Sequence, residues 1–509
     1  MNIAYQGQFL REGLRKLGHT LLDIPADKSI GINERIEKLG IPADLVFLEM
    51  YGSSSPVTGL HACKHETAVW FIDSPLNEFW MRDAARLFDH VFVDQLSTVS
   101  ALDMYGIKAV WLPLCVQDWN FAASVEKSHD LTFIGTVNQQ RAKRNNLLKM
   151  LQGYRPNIVS GVFYTDAREI LARSKISLNE NLFDGLTLRI FQSLAAGSVA
   201  FTEKSAATDK FFCNGEHLVT FDHTDVLEKL DGLLSSDARC REIALAGKEA
   251  CAAKHTSFAR AHDMIGALQA GAALNPRPCD DDLAWHEARA TVLLAQRYGG
   301  AFGAAMRVFH DFAVGDSRLS APALLEIGNV HARHGRFDQA KKCFRDAADG
   351  CPEAWAKLAL LHNALGNARQ ARAAAGRFLR QLRGGKTSSG IAAGSGDVFL
   401  DVAEGYMANG RTFDLGFGKP AGDIVPDTAF EAAMMSWRAN PNALAMDIML
   451  ECLGPYGIEG ELFPHIVTGI ERGVLSRVQM LRAAEIARVW YDADSARNIM
   501  TLLERTGKL

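Results

Sequence analysis

The sequence predicts two parallel-sheet α/β domains in tandem, followed by an all-α region. Three observations predict it. Through residues 1–270, short apolar runs rich in Val, Ile, Leu and Phe alternate with amphipathic stretches, the pattern of a parallel sheet covered on both faces. A polar stretch, Val125-Glu126-Lys127-Ser128-His129-Asp130, divides that alternation into two series. Beyond a linker rich in Gly and Pro at 271–278, strand-like runs become scarce and Ala and Arg become frequent.

In the first series, strands are expected at 2–5, 20–24, 45–49, 68–72, 90–93 and 108–112, with helices such as 9–17 and 78–88 between them. In the second, strands are expected at 131–135, 157–160, 175–178, 198–202 and 217–221, with helices at 141–151, 166–172 and 187–196. The domains so defined run over 1–125 and 126–270. Ligands of such sheets bind at the carboxyl ends of the strands, and two facing domains create a cleft there. From 280 to 383 the chain reads as helical pairs of tetratricopeptide type. One has Leu324, Ile327, Gly328, Gly335, Ala340, Phe344, Ala347 and Pro352; the next, offset by 31 positions, has Trp355, Leu358, Ala359, Gly366, Ala371 and Phe378. A weaker unit is expected around Gly300, Ala305 and Phe309. A flexible Gly/Ser segment follows at 384–396, then a helical region at 397–509.

Composition narrows the function classes. At 509 residues, about 3 domains are expected. Apolar residues make up 48% and charged residues 22%, the balance of a folded soluble chain rather than a disordered one. A net charge of −4 argues against nucleic acid as the main partner. No apolar run is long enough for a membrane-spanning helix, and the first residues lack a basic stretch followed by an apolar core. The nine Cys are scattered with no C-x-x-C, as expected of reduced thiols, so a cytoplasmic location is expected. The cluster His61-Ala62-Cys63-Lys64-His65-Glu66 has metal-ligand types but no completing second cluster, and no metal is expected.

The stretch from Asn179 to Gly197 carries the most chemistry. It follows an expected strand and opens a helix whose N-terminal amides and dipole suit an anion. Arg189 in the first turn adds a permanent positive charge for phosphate. Asp184 in the preceding loop can accept hydrogen bonds from sugar hydroxyls. The plainer reading of Asp184-Gly185 is a turn, and of Arg189 a solvated helix charge. Asp73 ends an expected strand and so faces the cleft.

Several phrases together resemble a known family: Trp70-Phe71-Ile72-Asp73-Ser74-Pro75, Leu112-Pro113-Leu114, Asp130-Leu131-Thr132-Phe133-Ile134-Gly135-Thr136, Asp184-Gly185-Leu186-Thr187-Leu188-Arg189-Ile190-Phe191, Leu194-Ala195-Ala196-Gly197, Gly215-Glu216-His217-Leu218-Val219, and His255-Thr256 with Arg260. In order and spacing, over about residues 45–265, the chain is similar to the CgeB-like branch of the group-1 glycosyltransferases of GT-B fold. That resemblance implies two Rossmann-like domains, a nucleotide-sugar donor (a UDP-sugar favoured) held by the second, and an acceptor approaching from the first. It implies no further cofactor and no metal requirement.

Retaining relatives use two acids eight positions apart; here those positions hold Asp184 and Gln192. Asp184, Arg189 and Asp73 are therefore the candidate catalytic residues. Candidate donor-binding residues are Gly135, Thr136, Arg141, Arg144, Tyr164, Asn179, Glu180, Asn181, Gly185, Leu186, Thr187 and Gln192. Arg141 and Arg144 stand where relatives carry phosphate-binding cations, and Tyr164 where relatives contact the base. The expected activity is sugar transfer with retention, to an acceptor that includes a protein recruited by the helical repeats. The alternatives are a non-catalytic interaction protein with a degenerate nucleotide-binding half, motivated by Gln192, and a nucleotide-sugar epimerase.

Overall fold

The structure, a computed structural model, describes residues 1–25, 30–52, 57–138, 141–162, 164–183, 185–272, 274–315, 317–382, 397–413, 423–491 and 493–505. The chain divides into two compact units. The first holds 1–283 together with 456–463 and 483–505; the second holds 284–455 and 464–482. The stretch 397–509, read from the sequence as one helical region, thus contributes to both.

In the first unit, β1 (Asn2–Gln6), β2 (Thr20–Asp23), β3 (Leu45–Met50), β4 (Thr67–Phe71), β5 (His90–Val93) and β6 (Val110–Trp111) form a parallel sheet of order β2-β1-β3-β4-β5-β6. A second parallel sheet has β7 (His129–Ile134), β8 (Asn157–Val159), β9 (Ser174–Asn179), β10 (Val199–Glu203) and β11 (Val219–Phe221) in the order β11-β10-β9-β7-β8. Each apolar run of the sequence falls on one of these strands. The continuous runs are the central strands: every residue of β3, β4, β5 and β10 is buried, because helices cover both faces. The edge strands β2 and β8 contain no fully buried residue.

The two sheets share one apolar core. It runs from Ile3, Phe47 and Trp70 on the first sheet through Leu186, Phe191 and Leu218 beside the second to Met264. Met264 lies on the helix Ser257–Gln269, which brings the chain back from the second domain onto the first. That helix meets the helix Arg11–Lys16 so closely that a Cβ at position 13 would lie 2.1 Å from the Ser257 carbonyl oxygen. Glycine is required there, and its N–H donates to Ser257 Oγ at 3.0 Å. The outgoing and returning strands pair: Val116 N–H donates to His255 O at 3.0 Å and Ser257 N–H to Val116 O at 2.7 Å. Arg260 fixes this crossing by donating to Pro113 O at 2.9 Å and to His255 Nδ1 at 2.7 Å. The His255 ring is packed among Phe191, Phe211 and Phe212. Burial, then the charge of Arg260, pushes its pKa down to about 3, so it is a neutral structural imidazole.

The second unit contains the expected helical hairpins, Ser320–Arg333 with Phe337–Ala347 and Glu353–Ala364 with Ala368–Leu382. Gly328 lets the first pair close, since a Cβ there would sit 2.5 Å from the Phe344 ring. The first helices of both hairpins grip the irregular stretch 423–427 of the same unit. The buried Lys357 ammonium donates to Val425 O at 2.8 Å, to Pro426 O at 2.7 Å and to Asp427. Arg333 pairs with Asp423 at 3.0 Å and Asp427 at 2.7 Å. Among the described residues, no helix is long and apolar enough to cross a membrane.

Candidate functional site

Strand order locates the site. In each sheet the chain leaves its first strand toward one edge and later turns to the other, which opens a crevice at the carboxyl ends of β1 and β3 in one sheet and of β7 and β9 in the other. The first crevice is filled from within. Glu49, on β3, accepts N–H bonds from Gln8 (2.7 Å), Phe9 (2.8 Å) and Leu10 (2.8 Å) and an O–H bond from Tyr5 (2.5 Å). Three amides that otherwise suit a phosphate are thereby spent on a carboxylate. Gly7 precedes them because a Cβ would lie 2.4 Å from Glu49 Cδ.

The second crevice also holds a carboxylate, but surrounded by more charge. Glu180 follows β9 directly, and its side chain is 0% exposed. Arg141 Nη2 donates to it at 2.9 Å and Arg144 Nε at 2.7 Å, while Lys143 Nζ lies 3.4 Å away. Burial pushes the Glu180 carboxyl up; Lys143, Arg141 and Arg144 together outweigh it and hold the group down at about 2. Lys143 turns inward, donating to Asn181 O at 2.6 Å and Glu203 at 3.0 Å beneath the Trp490 ring.

A cavity of about 500 Å³ opens over these ends of both sheets. Of the sequence candidates, Asp73, Arg141, Arg144, Glu180, Gly185, Thr187, Arg189 and Gln192 line it together. Arg189 lies in the first turn of the helix Leu188–Ala195 and donates to Gln192 Oε1 at 2.8 Å. Among the described residues no carboxylate pairs with it, and burial pushes its pKa down to about 10. The N-cap, Thr187, does not cap the helix; its hydroxyl donates to Asn179 Oδ1 at 2.8 Å instead. Within that first turn the Ile190 N–H donates to Thr187 O at 3.2 Å.

Asp73 enters from the first sheet. It follows β4 at φ 55°, ψ 39°, one of two non-glycine residues with positive φ among the described residues. The buried Asp94 holds this turn by accepting from Asp73 N–H at 2.9 Å and Ser74 N–H at 3.0 Å. The strained turn aims the Asp73 carboxyl into the cavity rather than onto its own helix, which it does not cap. Asp73 is exposed to the cavity, but the protein packed around it, and then the charge of Asp94, push that carboxyl upward.

The other candidates lie elsewhere. Asn179 and Asn181 turn into the protein, where Asn179 Nδ2 donates to Asn181 Oδ1 at 2.7 Å and Asn181 N–H to Glu203 at 2.7 Å. Leu186 is fully buried. Gly135 and Thr136 flank the site as backbone, the Thr136 carbonyl accepting from Arg144 Nη1 at 2.8 Å. Tyr164 opens the helix Tyr164–Ala172, but its side chain lies outside the described residues. Asp184 lies outside them as well.

Sequence reasoning missed Lys143, Glu203 and Gln95. The Gln95 carboxamide reads the Leu186 backbone like a strand, accepting its N–H at 2.9 Å and donating to its carbonyl at 3.1 Å. It ties the loop before Arg189 to the first sheet. Its only sequence signal is a polar residue directly after a buried strand.

Residues 122–266 match the family described as "Glycosyl transferase-like". The match spans the second α/β domain, including Arg141, Arg144, Glu180 and Arg189. Among solved structures, the chain is similar to sucrose-phosphate synthase from Thermosynechococcus elongatus, at 12% identity over 47% of this chain and 75% of that one, with a TM-score of 0.36. It is also similar to Anabaena HepE in complex with UDP and glucose, at 10% identity over 53% of this chain and 100% of that one, with a TM-score of 0.37. A third is the pneumococcal O-GlcNAc transferase GtfA in complex with UDP and GlcNAc, at 10% identity over 47% of this chain and 59% of that one, with a TM-score of 0.33. Among curated proteins, no sequence matches significantly.

Proposed function

We propose that the chain is a glycosyltransferase of GT-B type that binds a nucleotide-sugar in the second α/β domain and an acceptor hydroxyl from the first. One observation carries this reading: a single cavity is lined by Arg141, Arg144 and Arg189 from one sheet and by Asp73 from the other. In the reaction, the bond between the sugar's anomeric carbon and the donor phosphate breaks, and a bond to the acceptor oxygen forms. The acceptor proton passes to a base or to the departing phosphate. Arg189, in a partly dehydrated first turn, stabilises charge growing on the leaving diphosphate. Asp73, with its carboxyl raised toward neutral pH, orients the acceptor hydroxyl and takes up its proton.

The finer assignments belong to the same proposal. They are a CgeB-like relationship, retention with Asp184 beside the sugar, a UDP-sugar as donor, and tetratricopeptide-type hairpins that recruit a protein acceptor. The helix faces that carry Arg333 and Lys357 are already engaged by 423–427, so the recruiting surface would be another one.

The test is thermal stabilisation by UDP, GDP, dTDP and CMP, then by the matching sugar nucleotides. A specific nucleotide at 100 times its Kd stabilises by ~2.7 kcal/mol. That shift should vanish in Arg189→Ala. The absence of a shift with any nucleotide would reject the donor site and favour a non-catalytic role, the reading to which Gln192, bound to Arg189 in place of an acid, lends support.

A further inference from the structure

The cations beside Glu180 have a further neighbour, and it comes from far along the chain. Glu461, in the short helix Glu459–Leu462, lies against Arg141: its Oε1 is 3.8 Å from Arg141 Nε. Its Oε2 accepts from Lys143 N–H at 3.4 Å, at the start of the helix Ala142–Met150. Both facing atoms, Arg141 Nε and Glu461 Oε1, are buried and have no hydrogen-bond partner among the described residues.

This placement is built, not incidental. Tyr491 O–H donates to Gly460 O at 2.8 Å, the Phe463 and Tyr491 rings stack at 4.1 Å, and a side chain at Gly460 would strike Trp490 at 2.8 Å. All of these residues belong to the first unit.

Charge decides what the arrangement does. Arg141, Lys143 and Arg144 are already matched in part by Glu180 and Glu203; Glu461 brings the cluster to neutrality. A diphosphate arriving at Arg141 therefore meets a cation cluster matched by three carboxylates, with Arg189 as the cation of the cavity that no described carboxylate pairs.

We propose that Glu461 is a specificity-determining residue that sets the charge of the donor site, a carboxylate supplied by the C-terminal segment against which the donor's phosphates must compete for Arg141. This rests on the donor-site reading above. The consequence is discrimination by charge: each added negative charge on a ligand is opposed, so a free nucleoside diphosphate is disfavoured more than its less charged sugar ester. The cluster thus favours donor over spent product. Burial pushes the Glu461 carboxyl up while Arg141 pulls it back, so an arriving phosphate that draws Arg141 away also favours its protonation.

The experiment is calorimetric titration of the full chain and of Glu461→Gln with uridine, UMP, UDP and inorganic pyrophosphate. A unit charge about 10 Å away at an effective dielectric constant of about 20 changes affinity by roughly tenfold. The expected result is that UDP and pyrophosphate bind Glu461→Gln roughly tenfold tighter than wild type, with a smaller gain for UMP and none for uridine. Glu461→Asp, which draws the charge back by one methylene, should fall between the two and decides the matter should the Gln variant not fold. Equal or weaker UDP binding by the variant, with wild type binding UDP normally, overturns this inference and leaves the donor site standing. A gain equal for uridine and UDP also overturns it, because only packing would then have changed. Failure of wild type and both variants to bind any phosphate overturns the inference and the donor site together.

Discussion

Replacing Glu180 by Gln tests whether the buried cation cluster is an anion site held ready by its own carboxylate. Two routes give the size of the effect. The carboxyl is held at about 2 against an ordinary 4.5, a shift equivalent to ~3 kcal/mol of folded-state stabilisation. Independently, removing one member of a buried ion cluster typically costs about 3–5 kcal/mol, since the cations left behind lose their compensation. Glu180→Gln should therefore lower stability by ~3 kcal/mol near neutral pH, measured by urea unfolding at low salt.

The pH dependence follows from the sign of the shift. The folded value is depressed, so the stabilisation is complete above the unfolded carboxyl's value near 4.5 and is lost as pH falls toward 2. The variant should lack that portion of the acid limb. The anion test is sharper. With the internal carboxylate gone, pyrophosphate or UDP should restore the lost stability, and the variant should gain more from either than wild type does. A variant as stable as wild type would refute the ionic account of the cluster. A loss of stability that no anion repairs would refute its identification as a phosphate site.

Three further outcomes are expected. Arg189→Ala should reduce kcat by ~10²–10³-fold in a sugar-transfer assay, with Arg189→Lys only partly restoring it because an ammonium lacks the guanidinium fork; full activity in the Ala variant would remove Arg189 from the chemistry. Activity should fall as pH drops through a value above the ordinary carboxylate range, because Asp73 is needed ionised and its carboxyl is raised; Asp73→Asn should lower kcat and abolish that limb, and an unchanged profile would assign the limb to another group. Gly13→Ala should cost ~1–3 kcal/mol by denaturant unfolding, since its methyl would need the returning helix Ser257–Gln269 to move outward; an unchanged midpoint would mean that this helix does not hold the first domain.

Much of the fold was legible in the sequence because its causes are local. A central parallel strand is buried on both faces, so it reads as an unbroken apolar run such as Ala68–Ile72, whatever lies elsewhere in the chain. Gly328 and Phe344 were likewise visible, being neighbours across one helical hairpin. The cavity residues Asp73 and Arg189 were legible for a related reason, one standing just beyond a strand and the other in a first helical turn, where parallel sheets present side chains to ligands; Arg141 and Arg144 came only from the family resemblance.

What the sequence could not disclose is which charges meet. Glu49 was hidden at the end of an apolar run, and only the register of β1 beside β3 sets it against the amides of Gln8, Phe9 and Leu10. Gln95 acquires its role by meeting Leu186, which lies 91 positions away. Glu461 meets Lys143 across 318 positions, from a segment with no periodicity or motif to mark it. Hydrophobic patterning arises within a few residues of chain, so sequence alone determined the strands, the hairpins and the end of the sheet that bears the site. Electrostatic compensation acts through space at a few ångströms, so tertiary structure alone decided that Glu180 and Glu461 would oppose one cluster of cations.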